Sequence, residues 1–130
     1  MTQPGEAPGL ARAGERTYNF GMQGPVFEVT DANFADEVAG SGTPVVVDFS
    51  AEWCAPCKKL EPVVVELARQ YEGRLKVGHL DIEQAPATAA RYGVMSVPTL
   101  IFFKQGKPAE TLVGAPSRQS LERAIQKVIA

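Results

Sequence analysis

Val45-Val46-Val47-Asp48-Phe49 is an unbroken apolar run interrupted by a single carboxyl. A strand with one wet face alternates apolar and polar residues, whereas a continuous run belongs to a central strand buried on both faces. Such a strand needs a covering layer on each side, which in an α/β chain means helices packed above and below a sheet. A carboxyl inside it is desolvated, so its pKa is expected to rise towards neutrality. The alternative is that Asp48 simply hydrogen-bonds nearby backbone at a strand end.

Strand and helix signals alternate around this run. Val26-Phe27-Glu28-Val29 reads as a short strand, followed by a helix capped by Thr30 or Asp31 with Phe34 and Val38 on one face. After the break Gly40-Ser41-Gly42-Thr43-Pro44 and the central run, a helix beginning near the cysteines carries Leu60, Val63, Val64, Leu67 and Tyr71 along one stripe. Residues 75–80 read as a strand, 85–92 as a helix closed by Gly93, and 99–103 as a strand. Gln105-Gly106-Lys107 forms a turn, with Glu110 to Val113 as the hairpin partner. The last helix starts near Ser117 and presents Leu121, Ala124, Ile125, Val128 and Ile129. The order β-α-β-α-β-α-β-β-α predicts a mixed sheet covered on both faces.

The 130 residues suit one domain. Residues 1–22 are rich in Pro, Gly and Ala without periodicity and read as a flexible N-terminal extension, on which Tyr18, Phe20 and Met22 are candidates to dock back on the domain. A net charge of −2 offers no basic surface for nucleic acid. No apolar run reaches the ~20 residues that cross a bilayer, so no membrane partner is expected. The N-terminus has no apolar h-region, and Glu6 and Glu15 argue against a transit peptide, so a cytoplasmic location is expected.

The chain has two cysteines, Cys54 and Cys57. In a reducing compartment such a pair is catalytic or metal-binding more often than structural. At i, i+3, where a strand runs into a helix, both sulfurs share one face of the first turn. The unpaired N–H groups there stabilise a thiolate at Cys54, which must be open to solvent to act as a nucleophile. Cys57 is close enough to attack a mixed disulfide formed by Cys54. Pro56 suits a helix start, where its missing N–H costs nothing. Zinc wants four N/S ligands against the two Cys and one His available, and Lys58 stands where haem attachment requires His. A structural disulfide closing so small a loop would constrain little.

The segment Asp48-Phe49-Ser50-Ala51-Glu52-Trp53-Cys54-Ala55-Pro56-Cys57-Lys58 closely resembles the active site of the thioredoxin family, the reference case for such motifs. The likeness continues through Pro62, Leu80-Asp81-Ile82, Tyr92-Gly93-Val94, Val97-Pro98-Thr99 and Val113-Gly114-Ala115. It implies a thioredoxin fold over residues 23–130, a central mixed five-stranded sheet flanked by four helices. It also implies a thiol–disulfide oxidoreductase, a protein-disulfide reductase recycled by a separate thioredoxin reductase. Cys54 would attack, Cys57 would resolve, and Asp48 would exchange the Cys57 proton. Pro98 would be a cis-proline facing the cysteines, with the Val97 backbone pairing an extended client segment. Trp53, Ala55, Pro56, Ile82, Val97, Val113, Gly114 and Ala115 would form the substrate groove. The resemblance implies client protein disulfides as partners, a monomer, no metal, and no cofactor beyond the Cys54–Cys57 pair.

Four residues depart from the family pattern. Ala55 replaces a usual glycine, Ser50 stands where many members carry a second Trp, and Ser96 stands where glycine is common. His79 occupies a strand position where a lysine often neighbours the buried aspartate, which predicts a coupled titration of His79 and Asp48; the alternative is an incidental polar residue at a sheet edge. Ala and Pro between the cysteines offer no charge to over-stabilise a thiolate, which favours a reductant. An oxidase or isomerase would show a less negative potential, and a non-catalytic binding module would not need its cysteines.

Overall fold

The computed structural model describes residues 25–130. The expected extension over 1–22, its residues Tyr18, Phe20 and Met22, and a domain start at 23 lie outside the described residues. Among those described, five strands and four helices follow in order. They are β1 (Val26–Glu28), a short π-type helix (Ala35–Ala39), β2 (Val45–Ser50), α1 (Ala55–Gln70), β3 (Lys76–Asp81), α2 (Pro86–Arg91), β4 (Thr99–Lys104), β5 (Lys107–Val113) and α3 (Arg118–Ile129). The sheet order is β1-β3-β2-β4-β5. β3 runs parallel to β1 and β2, while β4 is antiparallel to β2 and β5.

β2 is central and buried along its whole length. Its side chains alternate between two cores, as the pleat requires. Val46 joins Val26, Val77, Leu100 and Phe102 beneath α1 and α3, packing on Leu60, Val64, Leu67, Leu121 and Ile125. Val45, Val47 and Phe49 join Phe27, Leu80, Ile101 and Phe103 beneath the π-type helix and α2, packing on Phe34, Val38 and Ala89. Burying a side chain of this size contributes about 1.5–3 kcal/mol, so the unbroken run anchors both layers at once.

Two local features differ from expectation. Thr30 does cap its turn, since its hydroxyl accepts from the Asn33 N–H at 3.0 Å while the Asn33 amide oxygen accepts from the Thr30 N–H at 2.8 Å. The turn then widens, with Gly40 N–H donating to the Ala35 carbonyl five residues back, and Asp31 is used elsewhere. Pro62 lies inside α1, which runs through it to Gln70, as the stripe from Leu60 to Tyr71 predicts. β5 begins at Lys107 rather than 110, with Pro108 opposite Phe103 beside a register shift. As an edge strand, β5 tolerates a residue that cannot donate to a ladder. Gln105 and Gly106 both have positive φ, as a two-residue type I′ hairpin demands.

Candidate active site

β2 ends at Ser50, and the chain turns at once into α1, where the Cys54 N–H donates to the Ala51 carbonyl at 3.2 Å. Cys54 is the N-cap, in extended conformation, and its sulfur accepts from the Cys57 N–H at 3.2 Å. That is the place of a Ser or Asp oxygen in an ordinary cap, and it directs an orphan helix donor at Cys54 Sγ. Ala55 and Pro56 fill the first two helical positions, where no N–H is needed. Cys54 and Cys57 are joined in a disulfide with Cα atoms 5.3 Å apart. Cys57 is fully buried, and Cys54 keeps 4% exposure, less open than a freely solvated nucleophile.

The cysteine pair packs with Ala51, Ile82 and Val97. The Val97–Pro98 peptide is cis, and the Val97 carbonyl oxygen lies 3.8 Å from Cys54 Sγ. Pro98 is tied to the β5 end by the Gly114 N–H, which donates to its carbonyl at 2.9 Å. Val113 stands opposite Thr99. Trp53 and Val113 are exposed at 65% and 68%, Ala55, Pro56 and Ala115 are also exposed, and Gly114 is half-buried. The structure thus brings Ile82 and Val97 against the cysteine pair and ties Pro98 to Gly114, while Trp53, Val113 and Ala115 remain exposed.

Asp48 lies on β2, the strand that leads into this turn, and is 1% exposed. Neither carboxyl oxygen has a hydrogen-bond partner among the described residues, which overturns the alternative of a carboxyl tied to nearby backbone. Burial pushes its pKa up to about 7; positive charge at His79 works against this and Glu61 adds to it. A residue held near neutrality can take and return a proton at physiological pH.

The thioredoxin family profile matches residues 25–127. The chain belongs to the thioredoxin family. It is 44% identical over 100 residues to Thioredoxin 1 of Nostoc sp., covering 77% of this chain and 94% of that one. A thioredoxin of Mycobacterium bovis is 45% identical over 102 residues, with 78% and 88% covered. The chloroplastic M-type thioredoxin of Pisum sativum is 41% identical over 101 residues, with 78% of this chain and 59% of that one covered. As a member of this family the chain is a thiol–disulfide oxidoreductase whose partners are proteins with disulfides. No helix among the described residues is long and apolar enough to cross a membrane.

Some neighbours of this thioredoxin-family site were not legible in sequence. His79 is not at a sheet edge, because β3 lies between β1 and β2. Its Nδ1 is 3.3 Å from Glu28 Oε1, a partner that no local pattern indicates. The Trp53 indole N–H donates to Glu83 at 3.0 Å. Met95, two residues before Val97, is 94% exposed, an apolar side chain whose only sequence signal was its place ahead of Val97-Pro98.

Proposed function

We propose that the chain is a general protein-disulfide reductase of a reducing compartment such as the cytoplasm, acting as a monomer. Its own dithiol is the only redox group it needs, and a separate thioredoxin reductase returns it to the reduced state. In the first step the Cys54 thiolate attacks one sulfur of a client disulfide, the client S–S bond breaks with its other sulfur leaving as a thiolate that is then protonated, and a Cys54–client mixed disulfide forms. In the second, the Asp48 carboxylate takes the Cys57 proton, the Cys57 thiolate attacks Cys54 Sγ, and the attached client sulfur leaves as a thiolate that is then protonated. Two electrons pass to the client, and the Cys54–Cys57 disulfide remains. Trp53, Ala55, Pro56, Ile82, Val113, Gly114 and Ala115 receive the client segment, and the Val97 backbone beside Pro98 aligns it by strand addition.

The observation that carries this reading is the capping geometry, in which the Cys57 N–H points at Cys54 Sγ. Donors aimed at that sulfur favour its anionic form, and Ala55 and Pro56 add no further charge that would make the dithiol over-stable. The test is a Cys57→Ser trap. Mixed disulfides at Cys54 should accumulate with client proteins, and Cys54→Ser should abolish both trapping and turnover. Equilibration against glutathione should give a potential well below that of the buffer, with about 30 mV for each tenfold in the equilibrium constant. A potential above that of glutathione would favour an oxidase instead. Removal of residues 1–22 should leave turnover nearly unchanged.

A further inference from the structure

Glu28, His79 and Asp48 stand in one row across three adjacent strands. Glu28 pairs with His79 between β1 and β3, and His79 pairs with Asp48 between β3 and β2. Each lies two residues beyond a member of the core under α1 and α3, namely Val26, Val77 and Val46, so strand alternation puts all three side chains on that face. His79 is 7% exposed, and its Nδ1 sits 3.3 Å from Glu28 Oε1. From α1, Glu61 faces the row one turn beyond Cys57 and acts on the charge of both Asp48 and His79. From β4, the residue opposite Asp48 is Leu100, which is apolar. Among the described residues, one imidazole therefore stands among three carboxyls in a place largely closed to water.

We propose that Glu28 holds His79 as an imidazolium, and that this charge keeps Asp48 ionised so that it can take the Cys57 proton in the release half of the exchange. His79 is thus a positioning residue with Glu28 as its support. This rests on the role of Asp48 proposed above. Burial works against a charged imidazole, but the bond to Glu28 and the charges of Asp48, Glu28 and Glu61 outweigh it and raise the His79 pKa above its ordinary 6.5. A strand lysine would supply a cation at every physiological pH. A histidine supplies one only below its own pKa, so Asp48 and His79 titrate as a pair with two apparent values.

The test follows the Asp48 carboxyl by carbon NMR in the reduced protein across about pH 5 to about pH 9, alongside single-turnover reduction of a peptide disulfide. His79→Gln should move the Asp48 titration up by about one pH unit, and carry with it the acid-side limb of the rate profile, where the base gains its proton. Glu28→Gln should move both in the same direction by less. His79→Lys should restore an early, single-step titration, which a purely structural histidine would not predict. If Asp48→Asn leaves the rate profile intact, the base role of Asp48 itself fails. If Asp48→Asn removes that limb while His79→Gln and Glu28→Gln leave the carboxyl titration where it was, only the present proposal is overturned.

Discussion

The Asp31 carboxylate accepts two hydrogen bonds from Thr88, at 2.8 Å from its backbone N–H and 2.7 Å from its hydroxyl. A third comes from the Ala87 N–H at 3.2 Å. α2 has no side-chain cap of its own, its N-cap being Ala85, so a residue from the loop after β1 caps it from outside. The Thr88 hydroxyl and then the Thr88 N–H hold the Asp31 pKa below 3.8. A depressed carboxyl contributes stability that is present above its unfolded pKa and lost as pH falls through the folded one. Asp31→Ala should therefore lower Tm at neutral pH and speed hydrogen exchange at the Ala87 and Thr88 amides. The Tm gap to wild type should close once the pH is well below 3.8; a gap unchanged by acid would show that the carboxylate charge is not what caps α2.

Asp48 carries the opposite sign. Its folded pKa of about 7 lies above the ordinary 3.8, so its contribution is fully present below the unfolded value and lost as pH rises through the folded one. That span corresponds to about 4 kcal/mol. The raised pKa of His79 works in the same direction, since its stabilising proton is also lost as pH rises. Asp48→Asn should thus gain stability relative to wild type between about pH 4 and about pH 8. Urea unfolding at the two ends measures this, with the slope m unchanged; a stability difference independent of pH would contradict it.

Gly78 sits on β3 opposite Val47 and Phe27, in the middle of the sheet. A Cβ there would come within 2.5 Å of Val29 Cγ2 and 3.1 Å of Phe27 Cζ. Both of those side chains are buried, so neither can swing into solvent. Gly78→Ala should cost about 1–3 kcal/mol by overpacking, read as a lower urea midpoint. Because it pushes on β1, it should also loosen the contact between Glu28 and His79. A neutral result in both would mean that β1 yields freely.

Trp53 is the single tryptophan and a direct reporter on the site. Its indole N–H donates to Glu83 across an exposed surface. The acceptor is a carboxylate, but at this exposed site the bond is worth about 1 kcal/mol, a few-fold in population. Glu83→Ala should therefore lower the fluorescence anisotropy of Trp53 and raise KM for protein clients a few-fold, with kcat little changed. Unaltered anisotropy would show that the ring is held by packing alone.

Much of this protein was written in local patterns. The unbroken Val45–Phe49 run foretold a strand buried on both faces, and its residues divide between the two cores. The cysteine spacing and Pro56 foretold a helix beginning at the sulfurs, because caps and helix starts depend only on residues within one turn. Even the buried state of Asp48 followed from its neighbours in sequence. Where a pattern met a neighbour it could not see, it fell short: of the two cap candidates Thr30 takes the local turn, while the pairing of Asp31 with Thr88 and the edge position that admits Pro108 depend on distant chain.

What the tertiary structure alone decided is which distant groups share a charge environment. Glu28 and His79 are 51 residues apart, and the link through to Asp48 exists only because β3 inserts between β1 and β2. A parallel crossover leaves no local mark of which strand it will land beside, since strand order is set by how the covering helices pack. Charges, by contrast, act through space, and burial strengthens them by removing the water that would screen them. Side-chain periodicity thus specified the layers, while the proton chemistry beneath the disulfide had to wait for the strands to be put in order.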